Sequence, residues 1–413
     1  MRLRRRFDGK ALVRRLPVFG LLFVASLWLG WLVFKVSAIN AFVGGPQVKI
    51  AARIAPDDPQ VASAAIAMDL RYRMGMASPQ AGALARHAIL RAPLSDDAFL
   101  VGGIERLLKR DNRGAQRFLA RALARKPRSR ISRLFMLELE LRSGNVQGAV
   151  SDMTILVRLL PDVEKLFIPQ LARFARDPQT RPTLDRIIRS DPPLFSRLLQ
   201  HMAARPSNAD IVLQLASKGA PPVVPEQPDW RETLLNTLVA NGQVARAYQQ
   251  WQRFLGKDAP DQSNLIYDGS FGGLPGLRPF NWNFTASDLG VAERQKRGGL
   301  EVQYYGRTAG ELASQLLVLQ PGNYRFGFRA EGDLSDDQHR LLWRLQCVKS
   351  DAQIFELPLA KITYAGRSVA GNFTVPAKCP AQWLKLVGDP TEFPKIENVV
   401  IRSVGIQQRG SAG

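Results

Sequence analysis

The stretch PLSDDAFLVGGIERLLKRDNRGAQRFLARALARKP, residues 93–127, decides the fold of the middle of the chain. Its first and last prolines belong to a row that recurs every 34 residues: Pro59, Pro93, Pro127 and Pro161. Two rows of small or apolar residues keep the same step, namely Ala81, Ala115 and Ala149, and Ala88, Ala122 and Leu156. Because proline cannot continue a helix, this pattern predicts repeated helical hairpins that bury their apolar faces against one another.

The step divides the sequence into units at 62–95, 96–129 and 130–163, and a divergent unit is predicted at 228–261. Each unit resembles a tetratricopeptide repeat, with small residues such as Gly103 where paired helices approach. The aromatic residue expected early in the first helix is plainly present only as Phe99. The resemblance implies an all-α superhelix over 46–261 that holds a protein partner.

An uncharged segment near the N-terminus, LPVFGLLFVASLWLGWLVF, runs from Leu16 to Phe34. At a rise of about 1.5 Å per residue it nearly matches the roughly 30 Å hydrocarbon core of a bilayer. Basic residues are concentrated before it, which predicts a protein of the bacterial inner membrane with a cytoplasmic stub at 1–15 and a transmembrane helix at 16–38. The rest of the chain is predicted to lie in the periplasm. A cleaved signal peptide is the alternative, since Val36–Ser37–Ala38 fits a cleavage site.

Cys347 and Cys379 are the only cysteines, and both follow the apolar segment. In an oxidising compartment they are expected to form a disulfide, and two separately buried thiols are the alternative. Two cysteines are too few for a zinc site, and no metal or other cofactor is predicted.

The formal net charge is +21 and the isoelectric point is near 10.6, which favours anionic partners. A row of arginines at every fourth residue predicts a basic docking face for an acidic protein or anionic lipid: Arg113, Arg117, Arg121 and Arg125. A solvated outer face is the alternative. Nucleic acid is not expected as a partner, because no aromatic platform of the kind that single-strand binders need interleaves with the arginines, and the predicted location is outside the cytosol.

From about residue 264 short alternating runs separated by Gly, Pro and Asp predict an all-β sandwich, assigned to 262–413. DGSF at 268–271, PFNWNF at 279–284 and LLVLQPGNYRF at 316–326 resemble the bacterial jelly-roll domains of the galactose-binding and carbohydrate-binding-module kind. The resemblance implies a sandwich that binds sugar or packs as a structural module.

Four residues are the candidate sugar contacts of the sandwich: Tyr304, Tyr305, Arg307 and Glu311. Adjacent residues on a strand face opposite sides, so one of the two tyrosines must point outward. Trp282, Trp343 and Trp383 are assigned to the core rather than to a ligand. Asp336, Asp337 and His339 form a polar cluster for which a catalytic or calcium role is the less favoured interpretation.

The sequence lacks the common motifs for nucleophilic hydrolysis, phosphate binding and zinc proteolysis. We therefore expect a multidomain, non-enzymatic membrane protein: a transmembrane helix, a helical repeat stack, then a jelly roll. The first hypothesis is a periplasmic scaffold for polysaccharide synthesis or export, and the second is a carbohydrate-binding protein. A glycan-active enzyme is a third, weaker hypothesis.

Overall fold

The computed structural model describes residues 9–43, 47–73, 78–91, 95–222, 227–256, 264–334, 340–390 and 395–409. Within these residues all α-helices precede all β-strands, as predicted. The predicted polar cluster at 336–339 and most of the basic stub lie outside the described residues.

The α-helices are α1 (Gly9–Phe42), α2 (Val48–Ile54), α3 (Pro59–Tyr72), α4 (Pro79–Arg91), α5 (Asp96–Leu108), α6 (Asn112–Arg125), α7 (Arg130–Ser143), α8 (Val146–Leu159), α9 (Glu164–Arg176), α10 (Arg181–Ile188), α11 (Pro192–Ala203), α12 (Ala209–Ser217), α13 (Trp230–Ala240) and α14 (Val244–Leu255).

Helix α1 is the one helix in the described part of the chain that is long and apolar enough to span a membrane. Its candidate span, Leu21–Phe42, has a mean hydropathy of 1.9 and is almost entirely exposed. The helix does not end at the predicted residue 38. Ala38 and Ile39 are buried, and Ile39 shares an apolar cluster with Ala51 of α2, so the last turn of α1 packs into the helical region.

The helical hairpins keep a 34-residue step. Helices α5 and α7 begin 34 residues apart, and each proline at the end of a unit, Pro127 and Pro161, follows the second helix. A Cβ added to Gly103 of α5 would come within 2.8 Å of the Leu119 side chain of α6, which explains the small residue there. The assignment of the hairpins to the tetratricopeptide class stays a prediction.

Two antiparallel sheets form the C-terminal sandwich, which confirms the predicted fold class. The five-stranded sheet has the order β1-β5-β10-β7-β8, and the six-stranded sheet has the order β2-β3-β4-β11-β6-β9. The strands are β1 (Asn283–Phe284), β2 (Ala286–Ser287), β3 (Gly290–Arg294), β4 (Leu300–Tyr304), β5 (Gly310–Leu317), β6 (Gly322–Gly332), β7 (Leu341–Cys347), β8 (Gln353–Pro358), β9 (Arg367–Val375), β10 (Gln382–Gly388) and β11 (Glu397–Gln408).

The sandwich core is rich in aromatic residues contributed by both sheets. Trp343 of β7 is fully buried beside Trp282 and Phe326, with ring centroids 5.8 and 5.7 Å away. Trp282 and Trp343 therefore occupy the core positions predicted for them. Such buried rings combine a large apolar area with favourable edge and offset contacts, which stabilises the packing of the sheets.

The chain divides into two compact units: Met1–Phe167 with Pro182–Ile187, and Ile168–Arg181 with Ile188–Gly413. The second unit contains α11 to α14 together with the whole sandwich. The indole of Trp251 on α14 is buried against Tyr267 and Phe280, with centroids 5.1 and 5.5 Å away. The last helical hairpin is therefore attached to the sandwich by an aromatic cluster.

Candidate functional site

A cleft of about 500 Å³ opens on the five-stranded sheet, within the second compact unit. Sheet residues line one side of it, and helix α13 and the segment before β1 line the other. The lining residues are Glu232, Asn236, Arg278, Pro279, Asn283, Glu311, Ser314, Trp383 and Lys385.

Strand pairing places three polar side chains of the cleft in one row. Ser314 of β5 is opposite Asn283 of β1 on one side and opposite Lys385 of β10 on the other. Residues in register on neighbouring strands point to the same face of a sheet, about 4.8 Å apart. The row therefore presents an amide, a hydroxyl and an ammonium group side by side.

Trp383 gives the cleft its aromatic surface. On β10 it alternates with buried Leu384 and Leu386, so its half-buried indole faces away from the core, on the same side as Lys385. The prediction that Trp383 is a core anchor is wrong, because the period of two along the strand puts it on the outer face. Its phase with Lys385 was the sequence signal that could have shown this.

Helix α13 forms the opposite wall, and its first turn is fixed by local contacts. The Asp229 carboxylate caps the helix by accepting a hydrogen bond from the Arg231 backbone N–H at 2.9 Å, and Trp230 is buried. Glu232 and Asn236 are four residues apart, so they lie on one face of the helix. That face is the one that lines the cleft.

Each cation that lines the cleft is paired with a carboxylate that also lines it. The Arg278 guanidinium donates to both carboxylate oxygens of Glu232, with Nε–Oε1 at 3.3 Å and Nη2–Oε2 at 2.8 Å. Lys385 Nζ lies 3.3 Å from Glu311 Oε2. The hydrogen bond to Glu232 raises the pKa of Arg278, so this side chain stays charged.

The four predicted sugar contacts do not come together. Glu311 lies in the cleft, whereas Arg307 is an exposed residue that does not line it. Tyr305 is half-buried and does not line it either.

Tyr304 requires a correction, because its ring is fully buried in the sandwich core. Its hydroxyl donates to the Thr308 carbonyl at 2.9 Å, and burial raises its pKa to about 12. Tyr304 is in phase with the buried Leu300 and Val302 along β4, which is why it faces inward. It is not accessible as a sugar contact.

The predicted disulfide is present. Cys347 at the end of β7 and Cys379 before β10 are bonded, with their Cα atoms 5.5 Å apart and both residues buried. The bond ties the end of β7 to the segment that leads into the cleft strand β10.

The predicted arginine row lies along helix α6, in the first compact unit. Arg113, Arg117 and Arg121 are exposed. None of the three forms an ion pair with a carboxylate within the part of the chain that the structure describes, although Arg121 lies over the Phe118 ring at 6.0 Å. The Arg125 guanidinium lies over the Phe99 ring at 4.0 Å, and Arg106 lies over Phe118 at 3.6 Å. These ring contacts hold two guanidinium groups close to the helix surface.

No protein-family model matches the chain, and no curated protein matches it. Solved structures of carbohydrate-binding modules resemble the sandwich. One, described as CBM4, is 12% identical and matches 35% of this chain and 99% of its own, with a TM-score of 0.29. TmCBM61, solved with β-1,4-galactotriose, is 10% identical over 36% of this chain and 97% of its own, with a TM-score of 0.24.

The C-terminal family 22 carbohydrate-binding module of Clostridium thermocellum Xyn10B is 18% identical. It matches 37% of this chain and all of its own, with a TM-score of 0.25. At these identities and TM-scores the likenesses indicate no ligand, so the function is inferred from the side chains of the cleft.

Proposed function

We propose that this protein is a membrane-anchored, non-catalytic glycan-binding protein whose binding site is the cleft on the five-stranded sheet. One observation carries the proposal: the half-buried indole of Trp383 lies in a cleft whose other side chains are mostly polar. The apolar face of a pyranose ring packs on an indole, and the sugar hydroxyls need hydrogen-bond partners around it. Asn236 and Asn283 supply such partners, and the largely buried Ser314 lies beside them.

The size and openness of the site agree with a sugar chain. A volume of about 500 Å³ lies within the roughly 300–1,000 Å³ of ligand sites in general. Five of its lining residues belong to the sheet strands β1, β5 and β10. In this proposal the protein holds a glycan by shape and hydrogen bonding, and the two carboxylates of the cleft serve as ion-pair partners.

Replacing Trp383 tests the proposal. In the full chain, reconstituted in nanodiscs and screened on a glycan array, we expect Trp383→Ala to weaken binding of the best glycan about tenfold or more. The physical reason is that the indole buries apolar area against the sugar ring and stacks on it, which together contribute about 1.5–3 kcal/mol. Titration calorimetry measures the affinity.

The matched control is Tyr364→Ala, which removes an exposed aromatic ring that does not line the cleft. This variant is expected to bind like the wild type. Absence of glycan binding by the wild type, or equal binding by Trp383→Ala, would contradict the proposal. Release of shorter sugars from the bound glycan would contradict the proposal that the protein is not catalytic.

We also propose a second function, the docking of an acidic protein segment on helix α6. The exposed arginines without carboxylate partners support it, since guanidinium groups that form no ion pair attract carboxylates and are more weakly hydrated than ammonium groups. Successive arginines of the row are about 6 Å apart along the helix axis, which is the spacing of acidic residues at every fourth position of a helix. With both functions, one chain would bind a protein partner on helix α6 and a glycan in the cleft, as a scaffold in polysaccharide synthesis or export would do.

A further inference from the structure

The charges of the cleft balance one another. It is lined by two cations, Arg278 and Lys385, and by two carboxylates, Glu232 and Glu311. Each cation contacts one carboxylate, at 2.8 and 3.3 Å respectively. Although the whole chain carries a net charge of +21, the cleft itself is therefore close to neutral.

Glu232 is the residue that neutralises Arg278, and it does so from outside the sandwich. It belongs to helix α13, 46 residues before Arg278. Besides the two guanidinium contacts, it accepts a hydrogen bond from the Arg278 backbone N–H at 3.2 Å. Arg278 in turn donates from Nη1 to the Asn283 side-chain oxygen at 2.9 Å.

These contacts leave Arg278 with hydrogen-bonding capacity but without unbalanced charge. A guanidinium has five N–H groups, and the side-chain contacts to Glu232 and Asn283 use three of them. The remaining two suit neutral acceptors such as sugar hydroxyls. A sugar carboxylate in the same place would bring a third negative charge beside Glu232 and Glu311.

We infer that the cleft takes uncharged glycans, and that Glu232 of helix α13 determines this specificity by neutralising Arg278. The inference rests on the proposed function. It assigns to the helical layer a part in ligand choice, because the sandwich by itself would present Arg278 as an uncompensated cation. Glycans with carboxylate, sulfate or phosphate groups are then disfavoured.

The test compares two forms of one polysaccharide, the neutral glycan that binds best on the array and the same glycan oxidised to the carboxylate at C6. For the wild-type full chain we expect the neutral form to bind more tightly. In Glu232→Gln we expect affinity for the oxidised form to rise about 2- to 5-fold, the range of a partly exposed ion pair. Affinity for the neutral form is expected to change less, and the increase is expected to shrink with added salt.

A second variant keeps the inference falsifiable if Glu232→Gln folds poorly, and a double variant serves as a control where it folds. Glu311→Gln frees Lys385 in the same way and is expected to increase affinity for the oxidised form as well. Adding Arg278→Gln to Glu232→Gln is expected to cancel the increase, because the cation that causes it is gone. Thermal unfolding of each variant separates a change of specificity from a failure to fold.

The outcomes distinguish this inference from the proposed function. Wild-type protein that binds the oxidised glycan as tightly as the neutral one overturns the inference and leaves glycan binding standing. The same holds if Glu232→Gln is folded and its affinity for the oxidised form does not rise. Failure of the wild type to bind any glycan removes both.

Discussion

Glu140 on α7 is a buried carboxylate whose ionisation opposes folding. Its residue is 9% exposed, its Oε2 atom has no hydrogen-bond partner, and Asp152 of α8 adds a like charge nearby. Burial first, and Asp152 second, raise its pKa from 4.5 to about 7. Arg133 acts in the opposite direction but is itself paired with Asp152.

From this shift we predict that the helical region loses stability as pH rises from about 4.5 to 7. The folded state holds the proton that the unfolded state releases near the ordinary pKa, so the loss begins there and is complete above the folded pKa. Glu140→Gln should stabilise the protein by on the order of 1–2 kcal/mol at pH 8 and much less at pH 4, after allowing for partial solvation. Chemical unfolding of the full chain, followed by circular dichroism, measures this.

The control for this prediction is Glu138→Gln, the same change at a half-exposed position of the same helix, where the carboxylate is paired with Arg142. It should leave the pH dependence almost unaltered, because an ion pair between such solvated side chains contributes little to stability. A Glu140→Gln variant that is less stable than the wild type at pH 8 would show that the carboxylate contributes a favourable contact instead.

Residue-scale placement was the least predictable part of the site. The sequence indicated that strand β4 alternates, but the adjacent Tyr304 and Tyr305 left open which ring faces outward. Phase with Leu300 and Val302 decides it in favour of a buried Tyr304. The alternation along β10 likewise indicated that Trp383 shares the outer face of the sheet with Lys385. The prediction of a core position followed instead the general tendency of tryptophan to be buried, which does not hold here.

At the scale of elements, helix α6 was predicted well because its signals are local. Asp111 caps it by accepting from the Gly114 N–H at 2.9 Å, and buried Ala115 and Ala122 form its inner stripe. These features repeat with the 34-residue step, so sequence alone located the helix and its exposed arginines. The disulfide was predicted from cysteine count and compartment, while its geometry required the fold.

We predict that the arginine row of α6 binds an acidic helix. The probe is a labelled helical peptide with Glu at every fourth position, and a version with Gln at those positions is its control. The full-length protein in nanodiscs of zwitterionic lipid should bind the Glu peptide. The triple variant Arg113→Gln, Arg117→Gln and Arg121→Gln should bind it severalfold more weakly. Fluorescence anisotropy at low and high salt measures both effects, since screening should weaken the complex.

The matched triple variant removes the same charge elsewhere: Lys296→Gln, Arg297→Gln and Arg307→Gln, three exposed residues of the sandwich. It should bind the peptide like the wild type. Equal weakening in both variants would show that only net charge matters. Preference for nanodiscs with anionic lipid or for an anionic polysaccharide, with no peptide binding, would contradict an acidic protein partner.

At the scale of the whole molecule, the direction of the chain across a membrane is the central open prediction. We expect an alkaline phosphatase reporter fused after residue 50 to be active outside the cytosol, and a fluorescent protein fused to the N-terminus to remain in the cytosol. The concentration of basic residues before the apolar segment is the physical reason. The N-terminal fusion also separates the two alternatives, because a cleaved signal would release it from the chain.

An inactive phosphatase after residue 50 would place the helical region in the cytosol. In that case the periplasmic setting and the envelope role would fail together. The disulfide would then lie in a reducing compartment, which disfavours such bonds.

The sequence by itself determined the architecture: an apolar helix, hairpins with a 34-residue step, then an all-β sandwich. Each of these follows from the local periodicity of apolar residues, which can be read without any tertiary contact. The cleft was decided only by the tertiary structure. Asn283, Ser314 and Lys385 become neighbours through strand pairing, and Glu232 reaches Arg278 across 46 residues because the aromatic cluster around Trp251 holds the last helical hairpin on the sandwich.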